Sequence, residues 1–139
     1  MSPAQLAAIH ASAMTIPGPW SAKDFQELIV TEGTFLVSKE DVGFALGRIV
    51  LDEAELLTLA VKPDAQRQGI GRACLSSFEK TAAEQGALRC HLEVAECNKA
   101  ARALYRAMGW QEAGRRRAYY KSETARIDAI MMTKQPCAD

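Results

Sequence analysis

The chain has 139 residues, 48% of them hydrophobic, and 17 basic side chains balance 17 acidic ones to a formal net charge of zero. That size and apolar content predict a single domain, residues 1–139, with a proper core. The zero charge argues against a nonspecific nucleic-acid binder, which needs excess cations to displace counterions. No apolar run approaches the roughly 18 residues of a membrane span and no leader pattern is visible, so the expectation is a soluble, cytoplasmic protein that touches no membrane. Cys74, Cys90, Cys97 and Cys137 form no C-x-x-C pair, and with only His10 and His91 beside them no metal-ligand spacing exists. Free thiols and no metal are expected.

In chain order, residues 4–14 and 22–30 read as two helices joined by Pro17-Gly18-Pro19, with Ser21 a candidate N-cap and Asp24 three residues later. Three strands follow, at 34–38, 43–51 and 55–61. The acidic pairs Glu40-Asp41 and Asp52-Glu53 separate them, connections suited to antiparallel hairpins. The third is a short apolar run ended by Pro63-Asp64. Cys74, Leu75, Phe78, Ala82 and Gln85 then recur at three- and four-residue steps and Gly86 follows, which predicts a helix from about Gly71 to Gln85. A strand at 89–95, a helix at 99–108 closed by Gly109, and strands near 112–119 and 126–133 complete the order. Strands that meander first and then alternate with helices predict a mixed α/β (α+β) fold.

Between the third strand and the next helix lies a basic, glycine-punctuated turn, Gln66-Arg67-Gln68-Gly69-Ile70-Gly71-Arg72-Ala73. A helix start carries unpaired N–H groups and partial positive charge, and two glycines let a ligand approach that backbone, so an anion such as a phosphate suits the place. The dinucleotide fingerprint is excluded because Cys74 stands where its third glycine belongs, and a P-loop is excluded because no Gly-Lys-Ser/Thr triplet occurs. A plain strand-to-helix connection that uses glycine for its φ angles stays open beside the phosphate reading.

The run from Leu59 to Ala73 resembles the coenzyme A signature of the GNAT acetyltransferases, Gln/Arg-x-x-Gly-x-Gly/Ala, without a gap. The resemblance extends to Leu92-Glu93-Val94, to the segment from Asn98 through Gly109, to Ala118-Tyr119-Tyr120, to Gly18-Pro19-Trp20-Ser21 and to Asp128-Ala129-Ile130-Met131-Met132. These features are similar to the RimI-like branch, which acetylates a ribosomal-protein N-terminus. The resemblance implies a central, mostly antiparallel mixed sheet flanked by helices. Members commonly begin with a strand, whereas here a helix-like run comes almost at once, leaving open whether that strand is absent or replaced and whether one sheet edge is covered by a partner.

The same resemblance implies acetyl-CoA as co-substrate, held by Leu59, Ala60 and Val61 along the pantetheine arm and by Arg67, Gln68, Gly69, Ile70, Gly71 and Arg72 at the pyrophosphate. Asn98 is either a further coenzyme contact or the N-cap of its own helix. Alternation along 89–95 sets Glu93 on the face opposite Leu88, Cys90, Leu92 and Val94. On residues alone that is a half-exposed glutamate; the resemblance makes it the general base. Asn98, Ala101 and Tyr105 share one helical stripe. Tyr105 is a core tyrosine by residue type and the general acid by resemblance.

Trp20, Tyr119 and Tyr120 are either packing aromatics or contacts for a peptide acceptor, the latter in the RimI-like branch. Ile127 departs from that branch, which often carries an acidic residue before Asp128. Seven basic residues between Lys99 and Lys121 (Lys99, Arg102, Arg106, Arg115, Arg116, Arg117, Lys121) face one acidic residue, Glu112. A solvated surface is the favoured reading over a face for coenzyme phosphates or ribosomal RNA. The expected activity is direct acetyl transfer, in a ternary complex, to the N-terminal alanine of a small-subunit ribosomal protein (protein eighteen), by a monomer or weak dimer that binds no nucleic acid directly. Cys97 is the only cysteine near enough to weigh as an acyl carrier. A lysine or small-amine acetyltransferase and a non-catalytic acetyl-CoA-binding module are the alternatives; Glu93 and Tyr105 weigh against the last.

Overall fold

The computed structural model describes residues 1–13, 18–121 and 126–136. Met14, Pro17 and Cys137, which figure in the sequence expectations, lie outside them. The described elements are α1 (Pro3–Ala13), α2 (Ala22–Ile29), β1 (Thr34–Lys39), β2 (Gly43–Val50), β3 (Glu53–Val61), a 3-10 turn (Pro63–Ala65), α3 (Ile70–Glu84), β4 (Arg89–Ala95), α4 (Lys99–Ala107), β5 (Gln111–Lys121) and β6 (Arg126–Lys134). Each predicted element is present, with ends shifted by one or two residues. The first described element is a helix, and β1 forms one edge of a six-stranded sheet of order β1-β2-β3-β4-β6-β5.

Local chemistry accounts for the joints. Ser21 and Asp24 exchange hydrogen bonds in a capping box that starts α2. Glu40 and Asp41 both adopt positive φ (53° and 56°), and the Val42 N–H donates to the Lys39 carbonyl, a type I′ hairpin made without glycine. Helices α1 and α2 cover one face of the sheet through Leu6, Ile9, Phe25, Phe44, Leu46 and Ala60. The other face packs Leu75, Phe78 and Ala82 of α3 and Tyr105 of α4 against Ala54, Leu56, Cys90, Leu92 and Val94. Leu88, read with that apolar set, instead precedes β4 and is 69% exposed.

Two irregularities in the sheet position the site. Leu46 pairs with Thr58 while Gly47 pairs with Leu56, so Leu57 is an extra, unpaired residue in β3. The bulge switches the strand's faces. Ala54 and Leu56 belong to the α3 side, Leu57 and Ala60 to the α1–α2 side, and Leu59 and Val61 to the α3 side again. Gly47 is required there, because a Cβ would stand 2.5 Å from the Phe78 ring and 2.6 Å from the Phe35 ring. The second irregularity is at the centre of the sheet, where β3 and β4 pair in parallel only at Glu53–Arg89, Ala54–Cys90 and Glu55–His91. Beyond Glu55 the strands part, and the edge of β3 that would have met β4 faces an opening.

A buried ion pair ties the frame together at the end where β3 and β4 remain paired. Glu79 of α3, 3% exposed, accepts from Lys134 of β6 at 2.7 Å and from the Trp110 indole N–H at 3.3 Å. Its position among the apolar residues of α3 gave no sequence signal of such a role.

Candidate active site

The opening between β3 and β4 contains two connected hollows. The first is a groove of about 550 Å³ lined by Leu59, Ala60 and Val61 from β3, by Gln66, Arg67, Gly69, Gly71 and Arg72 from the basic turn, and by Asn98, Ala101 and Leu104 from α4. In the turn, Arg67 (φ 65°) and Gly69 (φ 79°) are both left-handed, a geometry that folds successive N–H groups into an anion-binding concavity. Gly69 is the N-cap of α3 and supplies no side-chain acceptor, in contrast to Ser21 on α2 and to Asn98 on α4, whose Oδ1 accepts from the Ala101 N–H at 3.2 Å. The first-turn amides of α3 therefore face the groove without a side-chain cap, at the positive end of the helix dipole. A Cβ on Gly71 would make only ordinary contacts, 3.5 Å to Leu104 and 3.7 Å to Val61, so the fold tolerates one there and it is the groove that would be filled.

Gln66 donates its side-chain amide to the Val61 carbonyl (3.2 Å) and pins the turn to the end of β3. Gln68 and Ile70, grouped with the turn on sequence, have side chains that turn elsewhere. Gln68 reaches back toward the Asp64 carbonyl at 3.5 Å, and Ile70 is buried in the α3-side core. Asn98 caps α4 with its oxygen and lines the groove as well, so the cap leaves its NH2 group and one oxygen lone pair for a ligand.

The second hollow is a narrower cavity of about 110 Å³. Its walls carry Leu56–Leu59 of β3, Leu92–Ala95 of β4, Asn98, Ala101 and Tyr105 of α4, His10 of α1, Trp20 and Tyr120. Leu59, Asn98 and Ala101 line both hollows and form the joint between them. Glu93, 27% exposed by its side chain, sits in the cavity wall with Oε1 3.1 Å from Arg116 Nε of β5, an ion pair that holds the carboxylate in place. Tyr105 is 6% exposed, and burial, with Tyr120 adding to it, pushes its phenol well above the usual range. Tyr120 is pushed up to about 12, first by burial and then by the nearby Glu93 charge. Both phenols stay protonated at any working pH.

The sequence-selected aromatics divide. Trp20 and Tyr120 reach the cavity, whereas Tyr119 is 49% exposed outside it, edge-on to Tyr120 (centroids 5.0 Å) and 5.3 Å from the Arg116 guanidinium. This pair stands on a strong bulge. Arg116 pairs with Ala129 and Tyr120 with Ile127, so three residues of β5 oppose Asp128 alone. Asp128 stitches the bulge by accepting from the Ala118 N–H and from Arg115, both at 2.7 Å. Arg102 and Arg106 pair with Glu112, and Arg115 also pairs with Glu96, so much of the basic excess is used within the molecule. Cys97 is exposed and does not line the cavity, while burial raises Cys74 to about 11 and Cys90 to about 12. Neither buried thiol is a nucleophile at neutral pH.

Two lining residues, His10 and Thr58, were not singled out on sequence. A lone histidine on a helix and a threonine in an apolar strand carry no motif, and a bulge and a turn of chain bring them together.

The family model described as acetyltransferase (GNAT) family matches residues 5–110. The chain is 39% identical over 132 residues to the [ribosomal protein bS18]-alanine N-acetyltransferase of Escherichia coli K12, covering 91% of this chain and 87% of that one. It is 36% identical over 124 residues to the N-alpha-acetyltransferase RimI of Mycobacterium tuberculosis, covering 84% and 75%. The crystal structure of the ribosomal-protein-S18-alanine N-acetyltransferase from Escherichia coli superposes with a TM-score of 0.85 at 36% identity, over 96% of this chain and 87% of that one.

Proposed function

From the premise that the chain belongs to the GNAT acetyltransferase family, whose members use acetyl-CoA, we propose that it moves the acetyl group of acetyl-CoA to a protein N-terminal α-amine. The acceptor is the N-terminal alanine of ribosomal protein bS18, the substrate in the name of its Escherichia coli relative. The observation that carries this reading is the joint at Leu59, Asn98 and Ala101, where an anion-suited groove opens into a cavity holding a carboxylate and a buried phenol.

In this reading the uncapped turn of α3, with Arg67 and Arg72, holds the pyrophosphate. The pantetheine arm lies along the open edge of β3 at Leu59–Val61. The thioester then reaches the joint, where a free strand N–H can stabilise the developing oxyanion. The amine enters past Trp20 and Tyr120. Its nitrogen attacks the thioester carbon while Glu93, directly or through a water, accepts the proton lost from nitrogen. The C–S bond breaks with its electron pair on sulfur, and Tyr105 donates its phenolic proton to the leaving thiolate. Glu93 then gives its proton up to solvent and Tyr105 takes one back, so both side chains return to their starting states. An α-amine has pKa about 7.7–8.0 against about 10.4 for lysine, so at neutral pH it is hundreds-fold richer in the free base, and one carboxylate suffices.

The test is thiol release from acetyl-CoA with a peptide beginning in free alanine, run beside an N-terminally blocked, lysine-containing twin. Turnover on the first alone is expected. Turnover on the blocked twin at an equal rate would make the acceptor a lysine and sink the α-amine reading.

A further inference from the structure

Thr58 and His10 line the acceptor cavity and have no part in the steps above. Resting on the α-amine reading, we propose that the Thr58 hydroxyl, aimed by His10, seats the first residue of the acceptor by binding its amine and its adjacent carbonyl together, and so selects a peptide N-terminus over an isolated amine.

The bulge makes this placement. Were the strand regular through Leu57, Thr58 would follow Ala54 and Leu56 onto the α3 side; with the bulge, the side chain meets α1, where His10 Nε2 lies 3.1 Å from Thr58 Oγ1. His10 is fully buried and fixed on every side. Its ring stacks on Trp20 (centroids 5.0 Å, planes 20° apart), meets Phe25 edge-on at 5.4 Å, and accepts the Trp20 backbone N–H at Nδ1 (3.0 Å). A neutral imidazole that accepts at Nδ1 carries its hydrogen on Nε2, so the ring donates to the hydroxyl. Burial lowers the His10 pKa and keeps that neutral form, so no positive charge opposes an arriving ammonium.

The hydroxyl keeps one hydrogen and one lone pair for the cavity. An N-terminal residue offers the matching set, because its amine N–H and its own carbonyl oxygen are separated by a single Cα–C unit and one hydroxyl can bridge them. A lysine ε-amine has no carbonyl within that reach. Thr58 directly precedes Leu59 at the joint of the two hollows, so an amine held there is delivered to the thioester side of the cavity. Thr58 touches substrate in this scheme; His10 is a positioning residue that acts through it.

The experiment compares the full-length chain with Thr58→Val, Thr58→Ser, His10→Phe and the Val/Phe double variant, using the free-alanine peptide. Losing one hydrogen-bonding group should raise the peptide KM about tenfold in Thr58→Val, leave the acetyl-CoA Kd within about twofold, and be restored within about threefold in Thr58→Ser. His10→Phe keeps the stacked ring but also leaves the Trp20 N–H without its acceptor, so it should be at least as impaired as Thr58→Val, and the double variant should be no worse than His10→Phe alone. Additive losses would mean that His10 is only structural and overturn the pairing. Unchanged peptide KM in Thr58→Val, with wild type active, would overturn this inference alone. Wild type silent on the free-alanine peptide would overturn the α-amine reading and this inference with it.

Discussion

The groove at the start of α3 and the cavity around Glu93 share a joint but are built by different means. Backbone does most of the work in the groove: left-handed Arg67 and Gly69, an uncapped helix turn and the unpaired edge of β3, nearly all within fifteen consecutive residues. Side chains build the cavity, and they come from residues 10, 20, 58, 93, 105 and 120, brought together by two bulges and a splayed strand pair. A ligand whose chemistry never changes, the coenzyme, suits a fixture of amides that needs few particular residues. An acceptor that must be chosen and deprotonated needs side chains, and those can be exchanged without rebuilding the groove.

If that division is right, a cavity side chain can be removed without loss of coenzyme binding. The largest effect is expected from Glu93→Gln, which keeps the shape and removes the carboxylate proposed as the base. Its kcat should fall about 10²- to 10⁴-fold, with the acetyl-CoA Kd, followed by titration calorimetry, within about twofold of wild type. Coenzyme affinity that fell along with kcat would break the comparison, because the two hollows would then act as one site.

The converse change tests the groove. Gly71→Ala adds one methyl group that the protein itself accommodates and that favours the helix, so the melting temperature should hold or rise slightly. The same methyl occupies the space assigned above to a phosphate approaching the first-turn amides, and the acetyl-CoA Kd should rise about tenfold. Opposite signs for stability and affinity are the signature. A Kd that did not move would remove the α3 turn from the coenzyme site.

This difference in construction also explains what was legible in the chain. Every helix and strand could be read from periodicity and caps, down to the Ser21–Asp24 box, because those signals are local. The β3–α3 part of the groove is legible because it is one contiguous segment, while its α4 wall is not, and the side chains of Gln68 and Ile70 turn away from it. Glu93 and Tyr105 take their proposed roles from resemblance alone, since a half-exposed strand glutamate and a helix tyrosine are otherwise ordinary. Thr58 and His10 could not be found at all. A single unpaired residue at Leu57 reverses the face of everything after it, and nothing in Leu56-Leu57-Thr58-Leu59 announces which residue is extra. The Glu79–Lys134 pair escaped for a similar reason, its partners being far apart in sequence.

The smallest expected effect concerns the β5 bulge next to Tyr120, opposite which the chain keeps Asp128 but has Ile127 before it. Asp128 holds the β5 bulge through the Ala118 N–H and Arg115, and these bonds, the backbone one first, keep its carboxyl below the usual carboxylate range. A group whose pKa is depressed on folding stabilises the structure above its unfolded value, about 4. That contribution disappears as the pH falls through the lower folded value. The β5–β6 bulge should therefore loosen only in acid, with the near-ultraviolet circular dichroism of the packed Tyr119–Tyr120 pair changing below about pH 4 and constant between about pH 6 and about pH 9. At neutral pH, Asp128→Ala should mimic the acid form, raising the peptide KM about fivefold through misplacement of Tyr120 while sparing the acetyl-CoA Kd. Because Asp128 holds the bulge that carries Tyr120 into the side-chain-built hollow, a parallel loss of coenzyme affinity would show that the bulge supports the groove as well.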